Sequence, residues 1–499
     1  MLKRLLLSGL FVLPVLSQDQ PETVRGKRFT FNFSSTEIAN LVWQLDTMAG
    51  FAVGDANAYR HLWREKLHWT ESDDAQLRSW ATLAKKHRSQ RLNPPRNMQY
   101  PPNAPRYYGR SASKTQNLVL AALNAKDLAD YRRRLTVIVG RKDAESFAEV
   151  AAHFQPRFQH WWKSSAERKM TRLAEDFTAV VRDYGLMAVA DQIAAFTGAE
   201  LPPQSQIYFH LIAHPREDRK GASGTQVRNH VIVELDEAGA AVQRISLLMH
   251  ELAHHFYESA PAAKHARLIR EFLAAPEEYS MGLYSYLSEA VATAVAIHVE
   301  NQIRRPASFA EFVGTERQVN TNSVIAKAGI SIFALVQKRL RQGRTIFDGF
   351  TPEYISAACK GLDQLCRSPS LELATRTVIF RDPATREVAE EFPKYVHLIV
   401  TLSGWEPLQK YRQLSGAVFL MTAEVKWFLQ EGKVLPSRAR PAIRSAFGQN
   451  RAFVYGLRRA GKGEIYIFVA DDRASLEETT QAFAKSNESF EGVRFAIKR

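Results

Sequence analysis

The ten residues Leu247–Phe256, LLMHELAHHF, constrain this chain more than any other stretch. His250 and His254 lie four residues apart, and on a helix such positions differ by only about 40° around the axis. Both imidazoles then leave one face and can share one metal ion. Glu251 sits about 100° from His250, too far round to join the ligands yet close enough to reach a water on the metal. Leu247, Leu248, Met249, Leu252, Ala253 and Phe256, which fill the rest of the stretch, are uncharged. A surface helix carrying solvated histidines would place charges among them. The spacing therefore predicts a buried helix from about Ala241 to Ser259, stopped by Pro261, with the core assembled around it.

A catalytic zinc takes three protein ligands and keeps a fourth position open. Glu289 is one candidate, in the stretch SEAVATAVA (288–296) on a helix expected from about Ser285 to Glu300. A carboxylate among such small, apolar residues costs several kcal/mol unless a cation or metal partners it. Glu258 shares the first helix, but with His250 and His254 it would form a line, a poor tetrahedral set. Glu277 and Glu278 follow Pro276 in a loop-like stretch. His255 points away from the metal face and reads as a packing or hydrogen-bonding residue.

HExxH on one helix followed by Glu289 on a later one resembles the gluzincin metallopeptidases, over residues Tyr208 to Glu300. The resemblance implies one Zn2+ ion, with His250, His254 and Glu289 as its ligands. It also implies peptide-bond hydrolysis with Glu251 as general base and proton carrier. Thr293 occupies the place where some members keep an Asp that supports a ligand His. The metzincin pattern needs a Gly and a third His soon after the motif, and His265 has the wrong spacing. Gluzincin aminopeptidases carry a GAMEN-like strand whose Glu holds the substrate amino terminus. The nearest stretch here, GASGTQ (221–226), has no acid at that place, which points to an endopeptidase. The strand NHVIVEL (229–235) is then a candidate to pair with an extended substrate. Tyr279, Tyr284, Tyr286 and His230 are the candidate oxyanion donors.

The rest of the chain supports an α+β, mostly helical fold. A basic n-region (Lys3, Arg4) and the apolar run Leu5–Leu16 read as a signal peptide over residues 1–17, too short to span a bilayer core of about 30 Å. A secreted or periplasmic protein is expected, with no transmembrane anchor after cleavage. Residues 18–200 read as a mainly helical region that opens with one short strand (27–34). It is interrupted at 85–114 by a loop with five prolines, eight Lys or Arg and no acid. Expected core positions in its first half are Trp43, Leu45, Leu62, Trp63, Leu67, Leu77 and Trp80. Residues 201–375 read as a zincin-like catalytic region with two strands (206–213 and 229–235) joined by a charged loop, and residues 376–499 as a small α/β domain. Cys359 and Cys366 are either a small-loop disulfide turning at Gly361 or two thiols in a helical core, since an unbroken helix would hold them about 10 Å apart.

The net charge of +15 excludes little by itself. Its distribution says more, because residues 433–462 again hold eight basic side chains and no acid, whereas residues 200–300 hold 8 basic side chains against 13 acids. The expected partners are a peptide or protein substrate at the acidic site and an anionic cell envelope along the basic segments, with nucleic acid disfavoured. The rival reading is a non-catalytic, zinc-containing protein that binds an envelope or polyanion.

Overall fold

A computed structural model describes residues 21–52, 54–88, 114–215, 223–235, 241–277, 280–315, 319–320, 323–363, 366, 377–379, 385, 388, 416–421, 424–425, 429, 439–458, 464–486 and 490–498. The proposed signal peptide, most of the 85–114 loop and the strand expected at Tyr395–Leu402 lie outside these residues.

The chain opens with strands β1 (Glu22–Arg25) and β2 (Phe29–Ser34). Helices α1 (Glu37–Met48), α2 (Ala56–Glu65) and α3 (Glu71–Arg88) follow. Thr36 and Asp55 cap the first two by accepting from the backbone N–H groups of Ala39 and Ala58. Next come α4 (Lys114–Leu123), α5 (Leu128–Val139), α6 (Arg141–Trp161), a π-helical turn (Trp162–Ala166), α7 (Glu167–Asp183) and α8 (Leu186–Phe196). Strands β3 (Ser205–Ala213), β4 (Ser223–Val227) and β5 (His230–Leu235) lead into α9 (Ala241–Glu258), α10 (Ala262–Ala274), α11 (Ser280–Ile303) and α12 (Pro306–Gly314). Helices α13 (Ser323–Gln342) and α14 (Phe350–Leu362) complete this part.

The first sheet has the order β1-β2-β3-β5-β4, with β2, β3 and β5 parallel and the two edge strands antiparallel to their neighbours. Phe29, Phe31 and Phe33 share one face of β2, as the alternation predicts. Phe29 packs on Phe256 of α9 at 4.9 Å and Phe33 on Phe177 of α7 at 5.9 Å between ring centres. Thr30 and Asn32 on the other face are buried as well, because β2 is an interior strand. Asn32 meets that demand by donating to Gln206 Oε1 at 3.0 Å and the Ile207 carbonyl at 3.3 Å.

β2 lies beside β3, and one apolar core takes in residues from Val24 to Cys366. The charged loop between the expected strands contains β4, whose sequence SGTQV lacks apolar alternation because its burial is only partial. Leu77 is only partly buried, while Trp43, Leu45, Leu62, Trp63, Leu67 and Trp80 lie in the core. The three tryptophans also satisfy their indole N–H groups, on Glu234, Gln44 and Asp46.

The C-terminal residues form a second mixed sheet, β10-β8-β9-β7-β6, from β6 (Thr377–Ile379), β7 (Gly416–Met421), β8 (Asn450–Leu457), β9 (Ile465–Ala470) and β10 (Gly492–Lys498). Helices α15 (Ala439–Gln449) and α16 (Arg473–Lys485) belong to it. Alternation along β7 sends Val418 and Leu420 into one apolar cluster with Ile443 of α15. Phe419 goes into another with Phe483 of α16. The fold is thus mostly helical with two small mixed sheets. No helix among the described residues is long and apolar enough to cross a membrane.

Cys359 and Cys366 are disulfide-bonded with Cα atoms 5.5 Å apart. The turn that permits this is at Asp363 (φ +49°) and not at Gly361, which stays helical and lies against Ser331 of α13. Replacing both cysteines with Ser should lower stability by about 2–3 kcal/mol, from the loop entropy of so short a bridge. Urea unfolding of the variant against oxidised wild type measures the difference.

Candidate metal centre

Helices α9 and α11 pack side by side, and α13 packs against α11 as well. Such close packing needs small residues. Ala290, Val291, Ala292, Thr293, Ala294 and Val295 are all essentially inaccessible. A Cβ on Gly329 of α13 would fall 2.4 Å from the Thr293 methyl, so only glycine fits there.

Across the α9–α11 seam, His250 Nε2 and His254 Nε2 are 3.2 Å apart, and Glu289 Oε2 lies 3.5 and 3.6 Å from them. Among the described residues this is the group of three side chains able to hold a metal ion. The three side chains keep 13%, 15% and 34% of their surface exposed, so the centre opens to solvent. His254 Nδ1 is hydrogen-bonded to Ser288 Oγ at 2.9 Å. Burial disfavours the charge on Glu289, but the two facing imidazoles hold its carboxyl well below the usual range. Burial likewise opposes protonation of His254, and the facing Glu289 overrides it and raises that ring to about 9. Two imidazoles and a carboxylate so arranged ask for a shared cation.

Glu251 lies beside this group and is 8% exposed. Burial pushes its carboxyl up from the ordinary range, while His250 and His254 pull it back. Strand β4 passes directly over it: a Cβ on Gly224 would sit 2.7 Å from Glu251 Cγ and Oε1. Gly224 belongs to the stretch GASGTQ, whose distinguishing feature in the sequence was a missing acid; its actual part is to let a backbone approach Glu251.

The rival ligands are elsewhere. Glu258 receives a hydrogen bond from Gln226 of β4, His265 is bonded to the Tyr257 carbonyl at 3.0 Å, and Glu277 is not in the group. Glu278 lies outside the described residues. His255 faces away, as expected, hydrogen-bonded to the Arg228 backbone. Thr293 is buried and its hydroxyl makes no hydrogen bond, so it supports neither His250 nor His254. The hydroxyl that meets His254 is that of Ser288, which carries no sequence signal beyond standing next to Glu289.

Two further expectations change. Strand β5, which contains HVIVEL, is hydrogen-bonded on both sides and has no edge to offer a substrate; the edge strand is β4. Among the oxyanion candidates, Tyr286 is wholly buried and Tyr284 nearly so, and Tyr279 lies outside the described residues. Gly224 pairs with Val233 and faces Glu251, so alternation sends His230 to the opposite face of the sheet. There His230 Nδ1 is 2.8 Å from His210 Nε2 and stacks on Tyr208.

The basic segment 85–114 lies mostly outside the described residues, whereas residues 439–458 of the second segment are described. Within the described part, Arg451 pairs with Asp472 at 3.6 Å and Arg458 with Glu464 at 3.2 Å, so some of that charge is neutralised locally. Comparison with protein-family models, curated proteins and solved structures finds no match to this chain.

Two outcomes are expected. Gly224→Ala should cost about 1–3 kcal/mol through collision with Glu251, and Glu251→Ala in the same chain should recover part of that loss; denaturant unfolding of the four proteins of this cycle decides it. Burial lowers His230 to about 4 and holds His210 well below its ordinary value. Unfolding therefore takes up protons below about pH 6.5, and stability should fall as pH drops from there towards 4. Urea midpoints of the chelator-treated protein at pH 7, 6 and 5 should show this slope, and His210→Leu/His230→Leu should reduce it, the remainder coming from His255 and His298, which burial also lowers.

Proposed function

We propose that this chain is a zinc-dependent metallopeptidase of the gluzincin type, an endopeptidase acting outside the cytoplasm. The observation that carries this reading is the spacing of the three ligand atoms. Zinc bonds of about 2.0–2.2 Å in a tetrahedral arrangement separate ligand atoms by about 3.3–3.6 Å. Of the separations here, 3.5 and 3.6 Å fall in that range and 3.2 Å lies just below it, so the donors are spaced close to what such an ion needs. Only three protein ligands converge among the described residues, and they are partly open to solvent; a structural zinc site would be closed by a fourth. A mixed sheet whose antiparallel edge strand crosses the HExxH helix supports a zincin-like core. The disulfide supports an oxidising compartment.

His250, His254 and Glu289 would hold the ion, and the partial exposure of their side chains leaves one side for substrate. Zinc bound there would supply Lewis-acid polarisation of the scissile carbonyl and acidify a water. Glu251, buried and held beneath β4, accepts a proton at its carboxylate and passes it to the leaving amine. The outer edge of β4, which no described strand pairs with, aligns an extended peptide through backbone hydrogen bonds. The basic segments 85–114 and 433–462 attach the enzyme to an anionic envelope surface.

Glu251→Gln should lower peptide hydrolysis by about 10²–10⁴-fold while leaving bound zinc near one equivalent. Chelation should abolish wild-type activity and zinc should restore it. Cleavage of a peptide library followed by mass spectrometry is the readout, and undiminished cleavage by Glu251→Gln would overturn the assignment.

A further inference from the structure

We propose that Ser288 is the positioning residue of this centre, fixing the ring plane and tautomer of His254. The inference rests on the metal reading above. Ser288 Oγ lies 2.9 Å from His254 Nδ1, and the opposite nitrogen of the same ring faces His250 and Glu289. A neutral imidazole carries one proton, so an Nδ1–H donated to the hydroxyl leaves the Nε2 lone pair directed at the centre. Ser288 directly precedes Glu289 on α11. One turn of α11 therefore supplies both a ligand and the brace for a ligand on the neighbouring helix.

Thr293, the place where the gluzincin pattern would put a brace, is disqualified by its packing. Its methyl is pressed against Gly329 and its buried hydroxyl has no partner. The brace is thus an uncharged hydroxyl. It orients the imidazole without adding a negative charge behind it, and so pushes less electron density towards the ion than a carboxylate would.

The test compares Ser288→Ala and Ser288→Thr with wild type. Zinc affinity is read by competition against a chromophoric chelator, and the Tm of each metal-free protein reports folding. Ser288→Ala should weaken zinc binding by about 10–100-fold with the metal-free Tm unchanged. Ser288→Thr, which keeps the oxygen, should restore most of the affinity. Wild-type affinity in Ser288→Ala would overturn the proposal, as would a loss of affinity matched by a lower metal-free Tm and not rescued by Thr. Failure of wild type itself to bind zinc would instead overturn the metal reading on which the proposal rests.

Discussion

A carboxylate set into a helix of small apolar residues is the constraint around which this molecule is organised. Glu289 belongs to a helix whose next turns are buried on every side. An ionised group in that position is tolerated only with partners in place. The two imidazoles of α9 provide them, and this requires α9 and α11 to lie close together in a fixed register. Alanines and valines along α11 permit the approach, and Gly329 of α13 permits the same between α11 and α13. The packing and the chemistry of the centre are therefore one requirement met once.

The sheet fixes the remaining side of the site. Its α9 face is apolar, with Phe29 meeting Phe256, which anchors the end of the HExxH helix to an interior strand. Its opposite face is polar and buried. Glu234 accepts from Tyr59, from Trp43 and from Ser223, tying α1 and α2 to β5 and to the start of β4. Ser223 thus holds one face of β4 while Gly224, on the other, lies over Glu251. Satisfied buried polar groups of this kind specify one arrangement of their elements. Here that arrangement sets the distance between the edge strand and the proposed base.

Much of the site was legible because it is encoded in local spacing. His250, Glu251 and His254 follow from helical geometry alone, and Glu289 from the cost of an acid in SEAVATAVA. Helices α9 and α11 and strands β2, β3, β5, β8 and β9 follow from apolar periodicity. Missed features depend on contacts between distant segments. β4 has no alternation of its own and exists through pairing with β5, and Ser288 looks like any serine until α9 is packed against α11.

The sequence by itself determined which residue types could share a metal ion, because four-residue spacing on a helix is a geometric fact independent of the rest of the fold. It also determined that the helix bearing them is buried. Tertiary structure alone decided that the Ser288 hydroxyl rather than Thr293 meets His254, and that β4 rather than β5 forms the edge. Each of these turns on which surfaces meet between elements far apart in the chain. β2 pairs with β3 across more than a hundred and fifty residues. Local periodicity carries no information about such pairings, whereas the burial and hydrogen-bond demands of the packed state select one of them.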